Sequence, residues 1–239
     1  MEQEGLLRAG QAAWRVSLDE VRKRFPGSAA AGLRPVKVRG DHDLNPGFEP
    51  SHGKLREAAV LVPLVDRPEE PTVIFTQRTA NLTAHAGQIS FPGGRMESDD
   101  RDPEDTALRE TEEEIGLARD RIEVLGRLDT YVTRTGFRVI PVVGLVRPPF
   151  QMTPDPTEVA EVFEVPLAAI LDPTNPQRHS REFQGAQRYF YAFPYQQRFI
   201  WGATAGMLVN LCDVLRTEGL GCDGLGTDRL GDLPAGGTS

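Results

Sequence analysis

Cysteine is scarce in this chain. Cys212 and Cys222 are the only two among 239 residues, and their spacing is not that of a metal site. A disulfide-stapled scaffold is therefore not expected; one buried thiol and one thiol in the C-terminal tail, in a reducing compartment, is the natural reading. Basic charge is also in short supply, with 27 Lys and Arg against 35 Asp and Glu and a formal net charge of −8. A protein whose main partner is nucleic acid normally carries a basic face, so that class is disfavoured. No apolar run approaches the roughly 20 residues of a membrane span. The N-terminus, MEQEGLLRAGQAAWRV, lacks the basic segment and apolar run of a secretory signal. These absences lead to the expectation of a soluble cytoplasmic protein with neither a membrane nor a nucleic-acid partner. They leave room for a small phosphorylated substrate, because a bound divalent cation reverses the local sign of charge.

What is present suffices for one proper core, since 39% of the residues are hydrophobic. Residues 1 to about 26 carry a helical pattern broken at Pro26, and residues 27–54 read as a Pro- and Gly-containing loop. The continuous run Ala58-Ala59-Val60-Leu61-Val62, ending near Pro63, suits a buried strand, and Thr72–Thr76 a second one across the turn 66–71. Further strands are expected at 122–128, 138–146 and 159–165. A β-hairpin from 181–193 and 198–201 should feed a last helix over about 203–216. This gives an N-terminal helix-and-loop extension (1–54), a central domain (55–216) and a Gly-, Asp- and Thr-rich tail (217–239) expected to be flexible. Strands mixed with two or three helices indicate a single α/β sandwich.

The clearest helix follows GQISFPGG, residues 87–94. Asp102 is a good N-cap, Pro103 occupies the first helical position, Asp105 completes a capping-box-like arrangement and Gly116 offers a stop. At about 100° per residue, Leu108, Thr111 and Ile115 share one side, and Glu110, Glu113 and Glu114 the other. Like charges at this spacing repel, and the last two lie where the helix dipole disfavours anions. A solvated acidic face accounts for most short Glu runs. A hard divalent cation such as Mg²⁺ or Mn²⁺ would account for this one too, because the i, i+3, i+4 spacing gathers carboxylate oxygens toward one point.

Pro92-Gly93-Gly94, a capped helix, and then Arg109-Glu110-x-x-Glu113-Glu114-x-Gly116-Leu117 together resemble the Nudix box. The resemblance implies an α/β/α sandwich with a mixed sheet, and a loop–helix–loop that binds divalent metal. It makes Glu110 and Glu114 metal ligands, Glu113 a further ligand or a water-ordering group, and Arg109 the residue that orients the loop and the first glutamate. Two departures stand out. Counted from Gly94, Arg109 comes one residue late, and the earlier glutamate of the box is missing, with Asp99, Asp100 and Asp102 nearby instead.

Ile74-Phe75-Thr76-Gln77-Arg78 and His85-Ala86-Gly87-Gln88-Ile89-Ser90-Phe91-Pro92-Gly93-Gly94 look like the signature of the coenzyme A pyrophosphatase subgroup, which shares the longer loop. The stretches 158–167 and 201–206 look like that group as well, so the resemblance spans roughly residues 55–216. It implies metal-dependent hydrolysis of coenzyme A to 4′-phosphopantetheine and adenosine 3′,5′-bisphosphate. Substrate contacts would come from Arg78, Gly87, Gln88, Phe91, Gly93, Gly94 and Arg95. Arginines at 78 and 95 can grip phosphate through paired hydrogen bonds, and the glycines let backbone approach the diphosphate. Glu110 or Glu113 could take the proton of the attacking water, with Glu158 or Glu161 as an alternative base or extra ligand. Thr83 stands where the subgroup has a second arginine. Other diphosphates (ADP-ribose, a nucleotide sugar, an oxidised nucleoside triphosphate) remain open, as do a catalytically silent Nudix-fold sensor and an RNA-end hydrolase. Contacts through the N-terminal 50 residues could make a homodimer.

Overall fold

The computed structural model describes residues 16–25, 37–45, 54–80, 86–183 and 185–216. Thr83, His85, Cys222, residues 1–15 and the tail lie outside them. The elements are α1 (Leu18–Arg24), β1 (Val38–Gly40), β2 (Arg56–Val65), β3 (Thr72–Arg78), β4 (Ile89–Ser90), β5 (Gly93–Arg95), α2 (Pro103–Ile115), a 3₁₀ turn (Arg119–Arg121), β6 (Ile122–Arg127), β7 (Thr130–Val132), β8 (Phe137–Val146), β9 (Val159–Pro166), α3 (Leu167–Leu171), β10 (Gln177–Phe183), β11 (Ala186–Tyr195), β12 (Arg198–Trp201) and α4 (Ala203–Leu215).

The parallel pair β2–β8 forms the centre, in register from Arg56 opposite Phe137 to Val65 opposite Val146. Around it a nine-stranded mixed sheet runs β1-β7-β8-β2-β3-β4, with β5 on β2, β6 on β8 and β9 on β3. Side-chain alternation along β2 divides the core. Ala58, Val62 and Leu64 pack with Leu208 and Leu211 of α4, whereas Ala59, Leu61 and Val65 pack with Ala107 and Ile115 of α2. Strands buried on both faces read as unbroken apolar runs, which is why this segment stands out in the sequence. Helix on either face of a mixed sheet is the expected α/β/α sandwich. Among the described residues no helix is long and apolar enough to cross a membrane.

Several boundaries differ from expectation. β2 continues through Pro63 to Val65. The Leu61 N–H donates to the Pro92 carbonyl (2.9 Å), away from β8. Position 63, two residues on, faces the same side, between the β5 pairing that ends at Val60 and the β3 pairing that begins at Leu64, so the missing N–H breaks no rung. The segment read as a loop at 27–54 contains β1, which pairs parallel with β7 (Val38 opposite Thr130). α1 has its N-cap at Ser17, inside the stretch read as one helical pattern. The Ser17 hydroxyl accepts from the Glu20 N–H (3.3 Å), and the Glu20 carboxylate accepts from the Ser17 N–H (2.9 Å). Val21 and Phe25 are buried in the α4-side core, so part of the N-terminal extension belongs to the same folded unit. Residues 181–193 are not one strand. The chain turns at Gly185 (φ 73°), giving a separate three-stranded sheet β10-β11-β12. Cys212 is a buried free thiol that donates to the Ile170 carbonyl (3.2 Å).

Candidate active site

α2 begins as the sequence suggests. The Asp102 side chain accepts from the Asp105 N–H (2.8 Å), and Gly116 closes the helix in the left-handed region at φ 67°. The capping box is incomplete, because the Asp105 carboxylate turns to the Arg101 N–H (3.3 Å) and not to that of Asp102.

The acidic stripe divides. Glu114 lies on the buried face of α2 beside Thr111 and Ile115, its side chain 6% exposed, whereas helical spacing grouped it with Glu110 and Glu113 on the opposite side. Glu110 is half-buried and Glu113 points outward at 61% exposure. The cause is the glycine pair on β5. Gly93 and Gly94 pair with Val60 and Ala59 of β2. Gly93 lets β5 lie close on β2, and Gly94 leaves, between β5 and α2, a space that a side chain would fill. A Cβ on Gly94 would stand 2.4 Å from the Glu110 carboxyl carbon. The Gly93 N–H donates to Glu114 Oε2 (3.2 Å), and Arg78 Nη1, at the end of β3, lies 3.7 Å from Glu114 Oε1.

Burial pushes the Glu114 carboxyl up to about 7, against the pull of the Gly93 N–H and Arg78, and the charges of Glu110 and Glu158 add to the push. Burial also raises Glu110, opposed by its hydrogen bond from Arg109. Glu110 is met by Arg109 (2.9 Å) and Glu114 by Arg78 only at 3.7 Å, and both neighbouring carboxylates remain costly to ionise. Such a donor set suits a hard divalent ion. Among the described residues no three Asp, Glu, His or Cys side chains form a ready cation cluster. Mg²⁺ is commonly held by one or two carboxylates together with waters and substrate phosphate. Glu110 and Glu114 are the residues that would hold it.

Arg109 organises the outer half of the site. Nε and Nη2 donate to the two oxygens of Asp100 (2.9 Å each), Nη1 donates to Glu110 and Glu113 (2.9 Å each), and Nη2 also reaches the Arg95 carbonyl (3.3 Å). Asp100 is itself fixed by the Glu97 N–H (2.8 Å) and the Thr106 hydroxyl (2.9 Å). The bidentate Arg109 contact holds its carboxyl well below the ordinary range. Asp100 is the residue that sequence reasoning did not single out from Asp99, Asp100 and Asp102. Asp102 is used as the helix cap and, among the described residues, Asp99 accepts only from its neighbour Ser98 (3.2 Å).

The remaining sequence candidates fall into three groups. Arg95 is exposed on β5, and the Gln88 carbonyl accepts from the Arg78 N–H (2.9 Å), with Gly87 on the open turn beside it. Glu158 is exposed just before β9, and its charge is felt by both Glu110 and Glu114. Two candidates are drawn elsewhere. Phe91 is 2% exposed and stacked on Phe75 (centroids 5.1 Å apart), so its ring belongs to the core. Glu161 pairs with Arg198 (2.5 Å). A cavity of about 230 Å³, lined by Arg39, Asp41, Tyr131, Tyr189 and Tyr191, shares no residue with the stripe.

The raised Glu114 value carries a stability prediction. A carboxyl that ionises near 4.5 when unfolded and about 7 when folded favours the folded state fully below 4.5. That contribution is lost as pH rises from 4.5 through 7, by on the order of 3 kcal/mol. Thermal unfolding in chelator should therefore show the melting temperature falling between pH 5 and pH 8. Mg²⁺ should restore much of it, since an ion bound to the folded state alone stabilises that state. A flat profile in this window would mean that Glu114 is not buried uncompensated.

The NUDIX domain profile matches residues 55–186. The chain is 40% identical over 182 residues to an uncharacterized Nudix hydrolase, NudL, of Pectobacterium atrosepticum, covering 76% of this chain and 94% of that protein. It is 38% identical over 173 residues to Nudix hydrolase 15, mitochondrial, of Arabidopsis thaliana, covering 70% of this chain and 61% of the plant protein. Among solved structures, the C. elegans Ap4A hydrolase binary complex aligns with 46% of this chain and 80% of its own, at 19% identity and a TM-score of 0.41.

Proposed function

The chain belongs to the Nudix hydrolase family, and from that premise we propose that it cleaves the diphosphate of coenzyme A or its derivatives, giving 4′-phosphopantetheine and adenosine 3′,5′-bisphosphate. The coarser activity, pyrophosphohydrolysis of a nucleoside diphosphate derivative, follows from the family itself. The observation that carries the mechanism is the cleft between β5 and α2, where Glu110 and Glu114 stand against a backbone without side chains. A divalent cation held there supplies charge neutralisation for the diphosphate oxygens and a more acidic water.

The chain's own groups do the rest. Water adds to one phosphorus, the bridging P–O bond breaks and the other phosphate leaves with its electron pair. Arg78, at the strand end beside Glu114, and the exposed Arg95 are placed to hold phosphate oxygens. Arg109 keeps Glu110 and Glu113 in position. Glu158, exposed and without an ion pair among the described residues, is the carboxylate best placed to accept the water's proton, whereas Glu113 is held by Arg109 and Glu161 by Arg198. The subgroup-like residues 74–78 and 85–94 support coenzyme A over a plain nucleotide sugar, as does the need of its 3′-phosphate for an additional cation such as Arg95. Work in the cytoplasm is part of this proposal.

The test is product analysis by mass spectrometry, with coenzyme A, ADP-ribose and a nucleoside triphosphate offered separately with Mg²⁺, with Mn²⁺ or with chelator. Phosphopantetheine and adenosine bisphosphate formed only with metal are the expected result. Turnover of ADP-ribose with coenzyme A untouched would remove the coenzyme A assignment and leave the family chemistry standing, with Thr83 the first residue to change.

A further inference from the structure

The second sheet ends in a free edge. Among the described residues β10 pairs with β11 alone, in register from Gln177 opposite Ala192 to Phe183 opposite Ala186. Its other side presents a row of backbone donors and acceptors over seven residues, an arrangement that templates pairing with a further strand. The sequence of this edge, Gln177-Arg178-His179-Ser180-Arg181-Glu182-Phe183, has a property that a merely blunted edge does not need: it is charge-complementary to itself. Arg178 and Glu182 flank Ser180 at equal distances and, with Ser180, point to one face. Neither has an ion-pair partner among the described residues. Arg178 lies over the Tyr189 ring (4.2 Å) with its charge uncompensated.

We propose that β10 is the contact between two copies of this chain, joined antiparallel about a twofold axis at Ser180 into a continuous six-stranded sheet. In this register Arg178 of each copy stands opposite Glu182 of the other, which makes two opposite-charge cross-strand pairs. Gln177 meets Phe183, and Ser180 meets Ser180. His179 opposite Arg181 and Gln177 opposite Phe183 are the pairs without a favourable complement. The neighbouring registers that keep the sheet faces matched are worse. One places Arg181 against Arg181, and the other leaves Arg178 against Ser180. The face opposite the α4-side core also carries His179 on Phe190 and Phe199, and Phe190 against Trp201, at 5.3–5.8 Å, so an aromatic cluster backs the seam within each copy. The edge is short and the interface correspondingly small, so the dimer should be reversible and concentration-dependent.

Sedimentation velocity of the full chain from about 1 to about 300 µM, a span that brackets weak reversible association, tests this. The expected result is a monomer–dimer equilibrium that weakens at least about 10-fold, equivalent to about 1.4 kcal/mol, in Arg178→Glu and equally in Glu182→Arg. The double variant should recover the parental association because the pairs are re-formed with reversed polarity. Thermal unfolding and turnover, read alongside, should be unchanged in all three, since both residues are exposed and remote from Glu110 and Glu114. A monomer at every concentration overturns the proposal, and so does a dimer indifferent to the single substitutions. A double variant no stronger than the singles overturns the register.

Discussion

Replacing Glu114 with glutamine is expected to lower turnover about 10³-fold or more while leaving the folded protein at least as stable as the parent at pH 8. Both halves come from the same geometry. The side chain is 6% exposed and its carboxyl is pushed up to about 7, so at pH 8 the parent pays to keep a buried charge that only a cation repays. Glutamine keeps the shape and can still accept the hydrogen bond from Gly93, but it supplies no anionic ligand. A loss of about 4 kcal/mol of transition-state stabilisation, the equivalent of 10³, is the scale at which a metal ligand acts. Steady-state kinetics beside a melting curve checks it. Near-parental turnover would move the metal site off α2, and a collapsed melting temperature would make Glu114 a structural residue.

The glycine pair gives the second large effect, because the same one-carbon change should produce opposite outcomes at adjacent positions. In Gly94→Ala the new Cβ would fall 2.4 Å from the Glu110 carboxyl carbon, which is the far end of a flexible side chain. The fold can give way there; the catalytic carboxylate cannot do so without leaving its place. Turnover should fall about 100-fold or more, as misplacement by about an ångström does, with little change in stability. In Gly93→Ala the Cβ would fall 2.5 Å from the Ala59 carbonyl oxygen and the Val60 Cα, both backbone of the central strand, at a φ of 147° that side chains rarely adopt. That variant should lose several kcal/mol of stability whatever happens to activity. Equal effects at the two positions would show that the cleft is not shaped as described.

α2 was legible in the sequence because its signals are local and redundant. Asp102 caps, Pro103 starts, Gly116 stops, and Glu110, Glu113 and Glu114 repeat at helical spacing. β2 and β8 were legible because a strand buried on both faces shows as an apolar run. The fate of Glu114 was not legible. Helical periodicity set it opposite Ile115, but whether such a position meets water depends on the element beside it, and here that element is a strand with two consecutive glycines. Asp100 was hidden among three nearby aspartates, which only the reach of Arg109 distinguishes. Phe91 sits in a sequence stretch that looks functional, yet its ring stacks on Phe75 in the core, and of its neighbours it is Gly94 that faces Glu110 of α2. β1 and β7, three residues each, exist through pairing with distant strands, and no local pattern of that length announces itself. Pro63 misled because the rule against proline in a sheet concerns a donor that this position does not use.

The central claim is that Glu110 and Glu114, set against Gly93 and Gly94, hold the divalent cation that drives hydrolysis. It is tested most directly by titrating Mn²⁺ into the substrate-free protein and following the free-ion signal by electron paramagnetic resonance. The account predicts saturable binding by the parent chain, and an affinity lower by about 10-fold or more in Glu114→Gln and in Glu110→Gln, with the fold of both intact by circular dichroism. Parental Mn²⁺ affinity in both folded variants would contradict it.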